Sequence, residues 1–217
     1  MSLRLRDPVS GLTHMAGIPL SILGTVLLIY YAAVGATTWH VVAFSIYGAS
    51  LFLLYTSSSL YHSLPVSDRG VQILRRIDHS MIYVLIAGTY TPICLVPLRG
   101  AWGWSLFGSI WGLAVAGIIM TILWFEAPRW LTTLIYVLMG WLVVIAFVPL
   151  IHSVPLGGVI WLVVGGVLYS VGAIIYATKW PRLKVSDFFG FHELFHLFVL
   201  AGSFCHYWVM WGYILHL

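Results

Sequence analysis

Seven stretches of roughly 20 largely apolar residues follow one another along this chain, near residues 16–36, 40–61, 74–96, 102–124, 130–150, 155–177 and 190–215. About 20 such residues are what a helix needs to cross the hydrocarbon core of a bilayer. A backbone in lipid has to satisfy its own hydrogen bonds, so helices are the economical way to make these crossings. Only 7% of the residues are charged and 61% are hydrophobic, against about 25% charged in an ordinary soluble domain, which excludes a water-soluble fold. The predicted fold is an all-α membrane protein: a seven-transmembrane-helix bundle with short loops, forming a single integral membrane domain over residues 1–217. The first apolar stretch is too long for the core of a cleaved signal peptide and no small-residue cleavage site stands out, so it is read as a retained span.

Lys and Arg residues accumulate in cytoplasmic loops. With the N-terminus inside, the inner side collects Arg4, Arg6, Arg69, Arg75, Arg76, Arg129, Lys179, Arg182 and Lys184, and the outer side only Arg99, nine of the 10 basic residues against one. This places the N-terminus in the cytoplasm and the C-terminus outside. It also accounts for the net charge of +4 without a nucleic-acid partner. Cys94 and Cys205 lie in apolar runs without C-x-x-C spacing and read as buried thiols. Gly108 with Gly112, and Gly165, Gly166 and Gly172, have the small-residue spacing that lets membrane helices approach closely, and packing within the bundle is the expectation for them. The tryptophans, many near span ends, read as interfacial anchors.

Ionisable groups inside a bilayer are expensive, so those retained there are functional candidates. The second stretch ends with Ser57-Ser58-Ser59-Leu60-Tyr61-His62, the third opens with Arg75-Arg76-Ile77-Asp78-His79-Ser80, and the seventh opens with His192-Glu193-Leu194-Phe195-His196. The charge-derived topology puts all three at the cytoplasmic end. Histidines at i and i+4 stand about 40° and 6 Å apart on a helix, so His192 and His196 can face one ion, with His62 as the natural third ligand. Three nitrogens plus water make an open zinc site. Ser58 lies one turn before His62 on the same face, and Asp78 can reach in from the third helix to hold water. The bland alternatives are two interfacial histidines bonded to water, and an Asp78 that only pairs with Arg75 or Arg76. His14, His40, His152 and His216 are expected at the interfaces, and His206 is too far along its helix to share the ion.

With these motifs the chain resembles the progestin and adipoQ receptor family, and within it the bacterial hemolysin III-like branch. The likeness rests on S-x-x-x-H at Ser58 to His62, Asp78 followed by Ala87-Gly88-Thr89-Tyr90-Thr91-Pro92, and H-x-x-x-H at His192 to His196, in a chain of seven spans. It implies a seven-helix bundle with its N-terminus inside, zinc on the three histidines, and the aspartate and serine beside the bound water. The long N-terminal region of the eukaryotic hormone receptors is missing from this chain.

The function expected from residues and resemblance together is zinc-dependent hydrolysis of a lipid-like amide or ester drawn from the membrane, with Asp78 and Ser58 as catalytic residues. The ceramidase-like character of that chemistry is implied by the resemblance alone. One rival is a non-enzymatic homeostasis or signalling protein in which zinc staples helices together, its protein partners unknown. A second is an intramembrane metalloprotease, because His192-Glu193-x-x-His196 also fits H-E-x-x-H, in which the glutamate is the general base. Pore formation has only the family's name behind it, since no charged stripe lines a helix. The expected location is the bacterial plasma (inner) membrane.

Overall fold

The computed structural model describes residues 6–124, 126–181, 184–186 and 189–217. Arg4 and Arg182, two of the residues used to orient the chain, lie outside them, and only the backbone of Lys184 is described. The elements are α1 (Pro8–Gly35), α2 (Thr38–Ser63), α3 (Asp68–Leu95), α4 (Ala101–Leu123), α5 (Arg129–Gly140), α6 (Phe147–Ser153), α7 (Leu156–Thr178) and α8 (Phe191–Gly212). A short antiparallel pair, β1 (Lys184–Ser186) and β2 (Phe189–Gly190), precedes α8.

Among the described residues, six helical segments are both long and apolar enough to cross a bilayer, counting Arg129–Ser153 as one. Many of their large apolar side chains, among them Leu23, Val34, Leu123, Ile145 and Leu156, point outward, as they do where lipid replaces water as the surrounding medium. The chain is a multi-pass membrane protein. α3 is as long as any of these segments, with 28 residues, but Asp68, Arg69, Arg75, Arg76 and Asp78 crowd its opening turns.

Two helices begin earlier than hydropathy places them. α3 starts at Asp68 rather than near residue 74, capped by Ser67, whose Oγ accepts from the Gly70 N–H at 3.4 Å. α1 starts at Pro8 rather than near residue 16. Proline suits a first helical turn, having no N–H to leave unsatisfied and a φ already helical. In both cases the helix starts in the more polar segment that precedes the apolar run.

The fifth stretch, expected as one helix over 130–150, is interrupted. α5 ends at Gly140, a 3₁₀ segment covers Leu142–Ala146, and α6 resumes at Phe147. The Tyr90 hydroxyl closes the break. It donates to the carbonyls of Met139 at 2.9 Å and Gly140 at 2.8 Å and accepts from the Val143 N–H at 2.9 Å. Beside it the Trp141 Nε1–H donates to Ser170 Oγ at 2.8 Å. Irregular backbone at membrane depth is tolerated where protein partners re-satisfy it in this way.

α1 packs on α2, α2 on α3, α3 on α4, α7 on α8, and α8 returns against α1. This last contact brings the two ends of the chain together. Close approach depends on small residues: a Cβ at Gly88 would collide with the Ser50 side chain, and one at Gly172 would lie 2.8 Å from Phe198 Cβ. Gly108 and Gly112 depart from expectation, since a Cβ at either meets nothing within 4 Å; they are not packing positions of this bundle. Cys94 and Cys205 are free and buried.

Candidate metal centre

The end of α2 and the beginning of α8 meet, and their histidines converge. One nitrogen each of His62, His192 and His196 lies within 4.8 Å of the others, and the Nε2 atoms of His62 and His192 are 3.2 Å apart. A tetrahedral ion with nitrogen ligands at about 2.0–2.1 Å separates those ligands by roughly 3.4 Å. The His62–His192 spacing is therefore close to what such an ion sets, and the His196 nitrogen stands within 4.8 Å of both.

The far side of the rings carries a second signal. His62 Nδ1 is 3.1 Å from Asp7 Oδ2, and His196 Nδ1 is 3.2 Å from the Ser10 carbonyl. Carboxylate and carbonyl oxygens only accept, so in both cases Nδ1 is the donor and Nε2 of the neutral ring keeps its lone pair. That is the tautomer a metal ligand needs, and an oxygen acceptor on the opposite nitrogen is the usual support of a metal-binding histidine. The donor set fits a zinc ion.

Ser58 on α2 and Asp78 on α3 are both buried next to the cluster, with the Ser58 side chain beside the Asp78 carboxyl group. They line an internal chamber of about 150 Å³, enclosed further by His14, Tyr136, Trp141, Tyr169, Phe195 and His206. Towards the polar helix ends lies a vestibule of about 400 Å³, lined by Asp7, Tyr61, His62, Arg75, Arg129 and Glu193. Asp78, His79, Tyr176 and His192 belong to both walls. The cluster thus stands where a mostly apolar chamber meets a polar opening.

Sequence reasoning passes over the opening turns of α1. It places His14 at an interface, yet this residue is buried and stacked on His196, with ring centroids 3.8 Å apart and planes 9° from parallel. Both its ring nitrogens lack a hydrogen-bond partner. Once α1 is known to start at Pro8, Ser10 and His14 stand at i and i+4 on one face, and this is the signal a hydropathy reading masks. Burial raises the Asp7 pKa, but hydrogen bonds from His62 and Arg6 outweigh that and hold it below the usual carboxylate value.

Glu193 ties α8 to α1. Its Oε1 accepts from Ser10 Oγ at 2.5 Å and its Oε2 from the Gly190 N–H at 2.8 Å. His40, also expected at an interface, is buried, with Nε2 3.1 Å from the Ile214 carbonyl. His206 behaves as its spacing implies: Nδ1 donates to the Gly202 carbonyl at 2.8 Å and the ring stacks on Tyr169. His79 sends its ring towards Tyr176, and its carbonyl accepts from the Tyr136 hydroxyl at 3.1 Å.

The likeness to known proteins runs along nearly the whole chain. It is 44% identical over 194 residues to the hemolysin-3 homologue of Bacillus subtilis (strain 168), covering 89% of this chain and 87% of that one. It is 43% identical over 208 residues to hemolysin-3 of Bacillus cereus, covering 95% and 90%. A more distant likeness, 25% over 206 residues, links it to the human monocyte to macrophage differentiation factor, covering 93% and 82%. Residues 3–207 match the model of haemolysin-III related proteins; the chain belongs to that family, the bacterial branch of the progestin and adipoQ receptor proteins.

Proposed function

We propose that this protein is a zinc-dependent hydrolase of a lipid-like amide or ester, working at the cytoplasmic end of a seven-span bundle in the bacterial plasma membrane. One observation carries the reading. Three histidines able to present ligating nitrogens stand, with a buried carboxyl group and a hydroxyl beside them, at the junction of an apolar chamber and a polar vestibule. An acyl chain suits the chamber, and water reaches the junction through the vestibule.

His62, His192 and His196 would hold the zinc, which when bound polarises a carbonyl and lowers the pKa of water towards neutrality. Asp78 takes the proton from the attacking water and delivers it to the leaving amine or alcohol as the acyl C–N or C–O bond breaks, and the Ser58 hydroxyl donates to the oxygen on which negative charge develops. No further metal-binding side chain joins the three histidines among the described residues, which supports an open catalytic site over a four-ligand structural one. Glu193 is occupied by Ser10 and by the start of α8, so the metalloprotease reading lacks a free general base.

The decisive measurement is turnover of a panel of lipid amides and esters by the purified protein, before and after chelation and after zinc is restored. Hydrolysis that disappears and returns with zinc supports the proposal; zinc-bound protein without turnover of any member leaves the structural staple as the better reading. For orientation, α3 counts as the seventh span, and reporters should read inside near Asp68 and outside after Leu217. Reversed signals would sink the cytoplasmic placement.

A further inference from the structure

We propose that Asp7 is a positioning residue of the metal centre, an inference that rests on reading His62, His192 and His196 as zinc ligands. Asp7 occupies the N-cap of α1, where an aspartate ordinarily turns its carboxylate onto the first free N–H groups of its own helix. Here it makes no capping bond. The carboxylate reaches across to α2 instead and accepts from His62 Nδ1 at 3.1 Å. Its backbone N–H donates to the His62 carbonyl at 2.9 Å. One residue therefore grips His62 at both its main chain and its ring, fixing the ring plane and holding the tautomer that offers Nε2.

The next turn of α1 does the same for the second helix. The Ser10 carbonyl accepts from His196 Nδ1 at 3.2 Å, and the Ser10 hydroxyl holds Glu193 one residue from His192. The opening of α1 is thus a bracket that sets the α2 ligand against the α8 ligands. The competing explanation is a surface pair with Arg6, whose Nε donates to the same Oδ2 at 3.2 Å. Both bonds end on the same oxygen of a carboxylate that is 44% exposed, but at the other end the His62 side chain is 4% exposed and that of Arg6 27%, so the His62 bond is the better sheltered of the two and the less screened.

The test uses the full chain in detergent or nanodiscs, with zinc affinity measured by competition against a chromophoric chelator and ligand geometry by the visible spectrum of the cobalt(II) form. Asp7→Ala should weaken zinc about 10–100-fold, the usual cost of losing such a support, while still saturating at the wild-type stoichiometry and shifting the cobalt bands. Asp7→Asn keeps an acceptor oxygen and loses the charge, so it should fall between wild type and Asp7→Ala; it is the variant to read if Asp7→Ala fails to fold. Arg6→Ala should leave the affinity near wild type. A wild-type affinity in Asp7→Ala, with zinc lost in His62→Ala, overturns the role of Asp7 alone. An Arg6→Ala loss equal to that of Asp7→Ala overturns it in favour of the surface pair. A wild-type protein that takes up no zinc overturns both this inference and the reading beneath it.

Discussion

Two buried polar networks in this bundle solve the same problem in opposite ways. Around Tyr90 a single hydroxyl serves two carbonyls and one N–H across the break between α5 and α6, and Trp141 completes the repair on Ser170. Each group is matched within the protein, and the network is finished. At the opposite pole, Asp7 and Ser10 hold the outer nitrogens of His62 and His196, while one nitrogen each of His62, His192 and His196 converges to within 4.8 Å of the others. His14, stacked against this cluster, has no partner for either nitrogen. Polar atoms cost several kcal/mol when buried without a partner. The first network is structure, and the second is the one proposed above to hold a metal ion.

The contrast breaks first at the ligands. Replacing His192 or His196 by Ala should reduce bound zinc from about one per chain to near zero, and hydrolysis with it, as read by elemental analysis of purified protein. His206→Ala, further along the same helix, should keep its zinc. Equal losses at all three positions would mean that the histidine cluster is not a metal centre.

Next comes Asp78→Asn. Hydrolysis should fall roughly 10²–10⁴-fold, the scale of general-base catalysis, with zinc content and thermal melting near wild type. If melting falls and the rate per folded molecule persists, Asp78 belongs with the structural groups, and the site loses its base.

Tyr90→Phe tests the other pole. It strands the Val143 N–H and leaves two carbonyls short of a donor, so stability should drop by about 1–3 kcal/mol with zinc stoichiometry unchanged. A Tyr90→Phe protein that melts like wild type but loses zinc would erase the distinction between the two networks. The smallest effect is expected from Glu193→Gln. Gln keeps an acceptor for Ser10 or for the Gly190 N–H, so hydrolysis should change less than about tenfold, whereas a general base would lose 10²–10⁴-fold.

Much of this protein is legible in its amino-acid order. Apolar run length announces a multi-pass helical bundle, since the bilayer sets one length for every crossing. Residue spacing puts His192 and His196 on one face of a helix, and the distribution of basic residues puts Ser58, His62 and Asp78 at the same end. That α1 begins at Pro8 and that α5 stops at Gly140 are not legible there. Helix ends depend on capping and tertiary hydrogen bonds, which hydropathy does not measure.

That difference separates the candidate ligands from their support. Histidines on one helix are tied by the helical repeat, a local rule that any reader of the chain can apply. Asp7, Ser10 and His14 act on residues 55 to 186 positions away, and the contact exists only because α8 folds back against α1. Sequence by itself determined the medium, the all-helical character and the three histidines that meet. Tertiary structure alone decided which oxygens stand behind those histidines and which polar networks close, because both depend on contacts between segments that no local periodicity connects.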